Sequence, residues 1–393
     1  MLQTGYSQTS ALSNLHKQWA VFAALCVSFL SGVFILLSTY WQPDFAARWL
    51  ILPSAVIAHL LAVLWRNLET NHRAGESQLF PTFGWGNTLT LLRGAWVAAL
   101  AGFLFLPRPD GWLAWIPGIL YTLSVAADFF DGYVARRTQR VTRLGEILDM
   151  SFDGLGVLVA SILAIQYGQV PVWYLTVAFA RPLFLAGLWL RRRLNKPSHD
   201  LPPSTSRRVF AGFQMGFLAV VLWPLFSPPG TLIAATLFGL PLLIGFARDW
   251  LAVSGNLRLC LKIRGSPQKT LIHWLPVLLR LGILALSLGL LRGASPDFKD
   301  QGTALLLLGG LHAAATILIV FGAAARFSAI LALCLLGFYQ MFTSLTPVQF
   351  ALGAIYTAIL YLGSGAFSLW TPEDQLVYRR AGEPRTVEVE QGL

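Results

Sequence analysis

Apolar runs long enough to cross a bilayer recur along almost the whole chain, and no other property restricts its fold so strongly. They fall near 18–41, 47–65, 88–107, 112–130, 146–167, 170–190, 208–226, 230–247, 271–291, 303–322, 327–345 and 347–365, about twelve in all. Backbone inside lipid must satisfy its own hydrogen bonds, and segments of this length do so as helices. The expected fold class is therefore all-α, a polytopic membrane protein with about twelve transmembrane helices. Composition agrees: 55% of the 393 residues are hydrophobic and 12% charged, against about 25% charged in soluble domains.

A net charge of +11 would suit nucleic acid, but its distribution excludes that partner. Arg136, Arg137, Arg140 and Arg143 form one basic loop, Arg191, Arg192, Arg193, Lys196, Arg207 and Arg208 a second, and Arg248, Arg258, Lys262, Arg264 and Lys269 a third. The loops between them carry Arg48, Arg108, Arg292 and Lys299, offset by Asp44, Asp110, Asp297 and Asp300. This alternation is the positive-inside pattern, which puts both termini in the cytoplasm and presents a basic face to anionic lipid or phosphate. No Lys or Arg precedes Lys17 and no small-x-small site follows the first apolar run, so a retained first helix is expected rather than a cleaved signal. Cys26, Cys260 and Cys334 are scattered, without metal or disulfide spacing, and read as packing residues.

Composition divides the chain into an N-terminal helix pair at 1–66, a core at 67–252, a basic connector at 253–269, a four-helix segment at 270–370 and a charged cytoplasmic tail at 371–393. The stretch from Asn67 to Gly86 is too polar to span and is expected at the cytoplasmic interface.

Every intramembrane acid cluster lies in the core. Asp128 and Asp131 are three residues apart, and Asp149 and Asp153 four, so each pair shares a helix face. Carboxylates this close repel and are costly at a membrane edge unless cations neutralise them. The plainer reading is a few solvated interface charges. The sharper one takes the eight residues from Arg137 to Leu144 as a short connection that brings both pairs to one depth on adjacent antiparallel helices. All four together would offer oxygens to hard divalent cations, Mg2+ or Mn2+, and two such ions could clamp a diphosphate. Gly132, Ala135 and Gly145 each lie one turn from a proposed ligand and remove bulk there. Arg136 offers a planar fork to phosphate oxygens, and Asp153 is the carboxylate placed to take a proton from an attacking hydroxyl.

The pattern D-x2-D-G-x2-A-R-x8-G-x3-D-x3-D is met by Asp128, Asp131, Gly132, Ala135, Arg136, Gly145, Asp149 and Asp153. It resembles the signature of the CDP-alcohol phosphotransferases. That resemblance implies a six-helix core that displaces CMP from a CDP-linked lipid or alcohol. It implies two Mg2+ or Mn2+ ions on the four aspartates, Asp153 as base, and a CDP pocket shaped by Gly132, Ala135, Arg136 and Gly145. Asn87-Thr-Leu-Thr-Leu-Leu-Arg93 is similar to the stretch that opens the family's first core helix, which makes Asn87, Thr90 and Arg93 nucleotide-side candidates.

Local wording resembles the phosphatidylglycerophosphate synthase subgroup, so glycerol 3-phosphate is the first acceptor expected. Arg181 and Arg208 are candidates for gripping its phosphate. Pro182 and Gly154 depart from the subgroup's usual Glu and Lys. The resemblance also implies a homodimer. The segment 270–370 resembles a DoxX-like membrane module through Arg280-Leu-Gly, Gly322-Ala-Ala-Ala-Arg326-Phe and Gly363-Ser-Gly-Ala-Phe-Ser-Leu.

Two other classes compete with the enzyme. A transporter would match the span count, but transporters favour midplane sites and paired halves, and neither is evident here. A noncatalytic scaffold has no need of four intact aspartates. Arg137, Arg140 and Arg143 read as topology determinants, His59, His273 and His312 as isolated core residues, and the tryptophans near span ends as an aromatic belt.

Overall fold

A computed structural model describes residues 2–199, 201, 205–255, 266–293, 303–340 and 346–373. It is 79% helical, with twelve α-helices and no strand among the described residues. Each helix falls on one of the twelve apolar runs. Six are long and apolar enough to cross a membrane: Gln8–Tyr40, Pro43–Arg66, Gly111–Arg137, Arg143–Gln166, Val172–Arg193 and Gly230–Val253. Their flanks leave Val21, Leu25, Ile35, Phe129, Phe130 and Leu183 exposed, the inside-out surface that lipid solvates. The chain forms two compact units, one holding Met1–Tyr167 with Leu218–Pro224, the other Gly168–Phe217 with the described residues from Leu225 onward.

The first unit holds α1 (Leu2–Tyr40), α2 (Pro43–Arg66), α3 (Gly84–Ala101), α4 (Ile116–Arg137) and α5 (Arg143–Gln166). At 39 residues α1 is about 58 Å long, far more than the ~30 Å of a hydrocarbon core. The apolar pattern places the first span near 18, yet the helix starts at Leu2, because Gln, Ser, Ala and Leu continue it and no proline interrupts. Leu15 of α1 packs with Leu60, Leu64, Leu68, Phe83, Leu91, Leu144, Leu148 and Phe152 in one buried cluster. Leu144, Leu148 and Phe152 recur every fourth residue and anchor one face of α5, while Gly145, Asp149 and Asp153 occupy the adjoining row. α3 stops at Ala101, short of 107. Beyond it Phe105 takes a left-handed φ of 64° and its N–H donates to Gln166 Oε1 at 2.6 Å, tying the turn to the end of α5.

The second unit holds α6 (Leu175–Arg193), α7 (Thr205–Val221, apart from its last turn), α8 (Gly230–Val253), α9 (Ser266–Gly293), α10 (Thr303–Phe321), α11 (Ala325–Tyr339) and α12 (Pro347–Leu362). Ile283, Ala315, Ile319, Ala329, Ala332, Leu352, Tyr356 and Ile359 form the apolar centre of α9–α12. The three short motifs read from the sequence of this bundle meet at one end. Arg280 donates to the carbonyls of Ala366 and Phe367 at 3.2 and 3.4 Å, and Arg326 Nε to that of Leu360 at 3.2 Å. Gly322 and Gly363, at φ of 65° and 86°, let the two guanidiniums lie close: a Cβ on either would stand 2.8 Å from a guanidinium nitrogen. The connector at 256–265 and the tail beyond Glu373 lie outside the described residues.

Candidate active site

One face of α3 carries Asn87, Thr90 and Arg93, spaced by three, and all three are buried. Buried polar side chains on an apolar helix need partners, and α4 and α5 supply them. Arg93 pairs with Asp128, with Asp149 Oδ1 at 2.8 Å and with Asp131 Oδ2 at 3.9 Å. Thr90 Oγ1 donates to Asp131 Oδ2 at 2.8 Å. Three of the four sequence-predicted carboxylates, from two different helices, thus converge on one buried guanidinium. Asp153 is on α5, one turn beyond Asp149, and its side chain lies outside the described residues.

The carboxylates are not equally open. The side chain of Asp131 is 10% exposed, whereas those of Asp128 and Asp149 are 30% and 49% exposed. The site is closed below by Thr90 and Arg93 and reachable from the side of Asp128 and Asp149. Among the described residues no group of three His, Cys, Asp or Glu side chains encloses an ion by itself, since Arg93 stands between the carboxylates. The donor set is all oxygen and anionic, which is the chemistry hard divalent cations require. Arg93 offsets one of four negative charges, and two divalent ions would turn the remainder into a positive seat for a diphosphate.

The small residues of the motif have neighbours. A Cβ on Gly132 would stand 3.0 Å from Arg136 Nη1, so the Arg136 guanidinium lies folded back over Gly132. Ala135 packs on α3: a Cβ on Gly86 would come within 3.0 Å of Ala135 Cβ. Gly145 lies so near Asn87 that an added Cβ would be 2.5 Å from its Oδ1. Close approach of α3 to α4 and to α5 therefore takes the room at Ala135 and Gly145 that spacing alone assigns to a substrate.

Asn87, a nucleotide-side candidate by sequence, is engaged with protein groups. Its Nδ2 donates to Asn71 Oδ1 at 3.2 Å and to Thr142 Oγ1 at 3.0 Å. Thr142 is the N-cap of α5, accepting from Gly145 N at 3.1 Å. Asn71 and Thr142 belong to no motif, and only their polarity beside apolar runs could have signalled them. Arg181 on α6 and Arg208 on α7, the acceptor-phosphate candidates, are exposed residues of the second unit.

Residues 84–247 match the family model described as CDP-alcohol phosphatidyltransferase. A Cereibacter sphaeroides protein named CDP-diacylglycerol--glycerol-3-phosphate 3-phosphatidyltransferase is 33% identical over 106 residues, 26% of this chain and 47% of that protein. A Yersinia enterocolitica protein of the same name is 30% identical over 141 residues, 34% of this chain and 74% of that protein. A third, from Bacillus subtilis, is 36% identical over 72 residues, 18% of this chain and 37% of that protein. The matched part thus spans about half of the first relative and three quarters of the second. No solved structure matches the chain.

Proposed function

The chain belongs to the CDP-alcohol phosphatidyltransferase family, and from that membership we propose that it is an integral-membrane enzyme of phospholipid synthesis. It transfers a phosphatidyl group from CDP-diacylglycerol to a small hydroxylated acceptor. Glycerol 3-phosphate is the acceptor favoured, because the matched relatives carry it in their names. The observation that carries this reading is the convergence of Asp128, Asp131 and Asp149 on one spot inside the matched segment.

Asp128, Asp131, Asp149 and Asp153 would hold two divalent cations, which would supply positive charge to the donor diphosphate. Arg93 and Thr90 act behind them, fixing the carboxylates from the buried side. This is a closer role than nucleotide contact, and Asn87 shares it through Thr142. Gly132 and Arg136 shape the mouth of the CDP pocket, with Ala135 and Gly145 setting the helix spacing that frames it. Asp153 takes the proton of the acceptor hydroxyl as its oxygen bonds to the β-phosphorus. The bond from that phosphorus to the bridging oxygen breaks, and CMP leaves with the electron pair. Arg181 and Arg208 are proposed to hold the acceptor's phosphate, the task for which arginine forks are suited.

The basic loops support a cytoplasmic site with both termini on the same side. A homodimer is part of the proposal. So is the division at 1–66, 67–252, 253–269, 270–370 and 371–393, in which the meeting of three motifs in α9–α12 supports a distinct DoxX-like module. The test is CMP release by the purified full chain in lipid nanodiscs containing CDP-diacylglycerol, with glycerol 3-phosphate and Mg2+ or Mn2+. Metal-dependent release that Asp149→Asn and Asp153→Asn abolish is expected. CMP release that survives Asp149→Asn, or none with any acceptor, would sink the reading.

A further inference from the structure

The overhanging end of α1 reaches a strip of backbone whose other edge leads to the site. Gln18 grips residues 81 and 83: its Nε2 donates to Pro81 O at 3.0 Å, and its Oε1 accepts from Phe83 N at 3.1 Å. Gln8 adds a bond to Ser77 O at 3.1 Å. Asn71, fully buried, grips the alternate residues, its Nδ2 donating to Phe80 O at 3.1 Å and Thr82 O at 3.0 Å. The strip is therefore held from both sides. The guanidiniums of Arg73 and Arg140 in turn lie over the Phe80 ring, 5.6 and 5.3 Å from its centre.

From Asn71 two routes reach the first turn of α5. One runs Asn71 Oδ1, Asn87, Thr142 Oγ1, Gly145 N. The other is the bond from Arg143 N to His72 O at 3.0 Å. Asn71, Asn87 and Thr142 are at most 5% exposed, so water does not compete for these bonds. Leu15 of α1 shares a buried cluster with Leu144 and Leu148, adding apolar contact to the same turn. A helix transmits a shift of its first turn along its length, and Asp149 sits one turn beyond Gly145.

We propose that α1 and the 67–83 segment are a positioning device for the metal-binding carboxylates, with Gln18, Asn71 and Thr142 as its positioning residues. α1 thereby gains a task in the reaction. The inference rests on the reading of the aspartates as metal ligands given above.

The test is Mn2+ binding to the full chain in nanodiscs without substrate, read from the electron paramagnetic resonance signal of free Mn2+. Thr142→Val, which keeps shape and removes the hydroxyl, is expected to weaken binding about tenfold, the lower end for loss of an outer-shell partner. Thr142→Ser is expected within about twofold of wild type. Gln18→Ala, on α1, is expected to weaken binding about threefold and to combine with Thr142→Val to less than the product of the two, because both act through one path. Unchanged Mn2+ affinity in Gln18→Ala, with only a lowered unfolding temperature, would overturn the proposal. Asp149→Asn separates the two readings, since it must lose Mn2+ if the aspartates are ligands. Should wild type bind no Mn2+, the ligand reading falls by itself. Amide exchange at residues 144–149 then decides, and rates unaltered in Gln18→Ala would overturn the positioning device too.

Discussion

Replacing Gly145 with alanine separates two explanations of a motif glycine, room for substrate or room for a neighbouring helix. A Cβ there would stand 2.5 Å from Asn87 Oδ1 and 3.3 Å from Thr142 Oγ1. Ordinary contact begins near 3.4 Å, so the Asn87 carboxamide must retreat by about 1 Å. It cannot do so freely, being buried and bonded to Asn71 and Thr142. Overpacking of this kind costs roughly 1–3 kcal/mol, and loosening two hydrogen bonds adds about 1 kcal/mol. Exchanging Gly for Ala in a helix returns about 1 kcal/mol, which leaves a net loss of roughly 1–3 kcal/mol. Asn87→Ala removes the obstacle at its own cost, so Gly145→Ala in that background is expected to be neutral or stabilising. Unfolding of the four proteins of this cycle in one detergent, followed by far-ultraviolet circular dichroism, measures a coupling of about 1–3 kcal/mol. Additive losses would refute the argument that α3 lies against Gly145.

Arg93→Gln leaves three converging carboxylates without their shared cation, a change that costs about 3–5 kcal/mol at a fully buried pair and less here because Asp128 and Asp149 are partly solvated. Its unfolding temperature is therefore expected to rise with added Mg2+ more steeply than that of wild type, and equal metal responses would count against Arg93 as counter-ion. Thr90→Val removes the hydroxyl on Asp131 and is expected to raise the Mg2+ concentration for half-maximal CMP release about tenfold with kcat little changed; a fall in kcat at saturating metal would point to direct substrate contact instead. A Cβ on Gly154 meets nothing within 4 Å, so Gly154→Lys is expected to fold with stability gained by a few tenths to about 1 kcal/mol and to lower KM for glycerol 3-phosphate. A raised KM in that variant would argue for a different acceptor.

Much of the molecule is legible from residue order, for identifiable reasons. Backbone in lipid must satisfy its own hydrogen bonds, so each long apolar run becomes a helix, and Asp128, Asp131 and Asp149 converge because α4 and α5 both pack on α3, which carries Arg93. Helix ends are less legible: the start of α1 depends on polar residues held by the 77–83 backbone, and the stop of α3 on Gln166, more than sixty positions away. Periodicity tells which residues share a face and not what lies opposite that face. Ala135 and Gly145 accordingly read as space for a ligand, where the structure sets Gly86 and Asn87 against them. Arg93 reads as a nucleotide contact for the same reason, since its three acidic partners lie on α4 and α5. Asn71, the residue that ties the 80–82 backbone to α3, sits in a stretch whose composition announces only a polar loop.

The guanidinium of Arg93 also bears on how such a protein is made. Acidic side chains threaded toward a bilayer ahead of any metal would repel one another and hold their helices apart. With a covalently attached cation already among them, the bundle can close in the absence of ions. Supply of the proposed ions would then be uncoupled from insertion, and they could enter from the aqueous side at any later time.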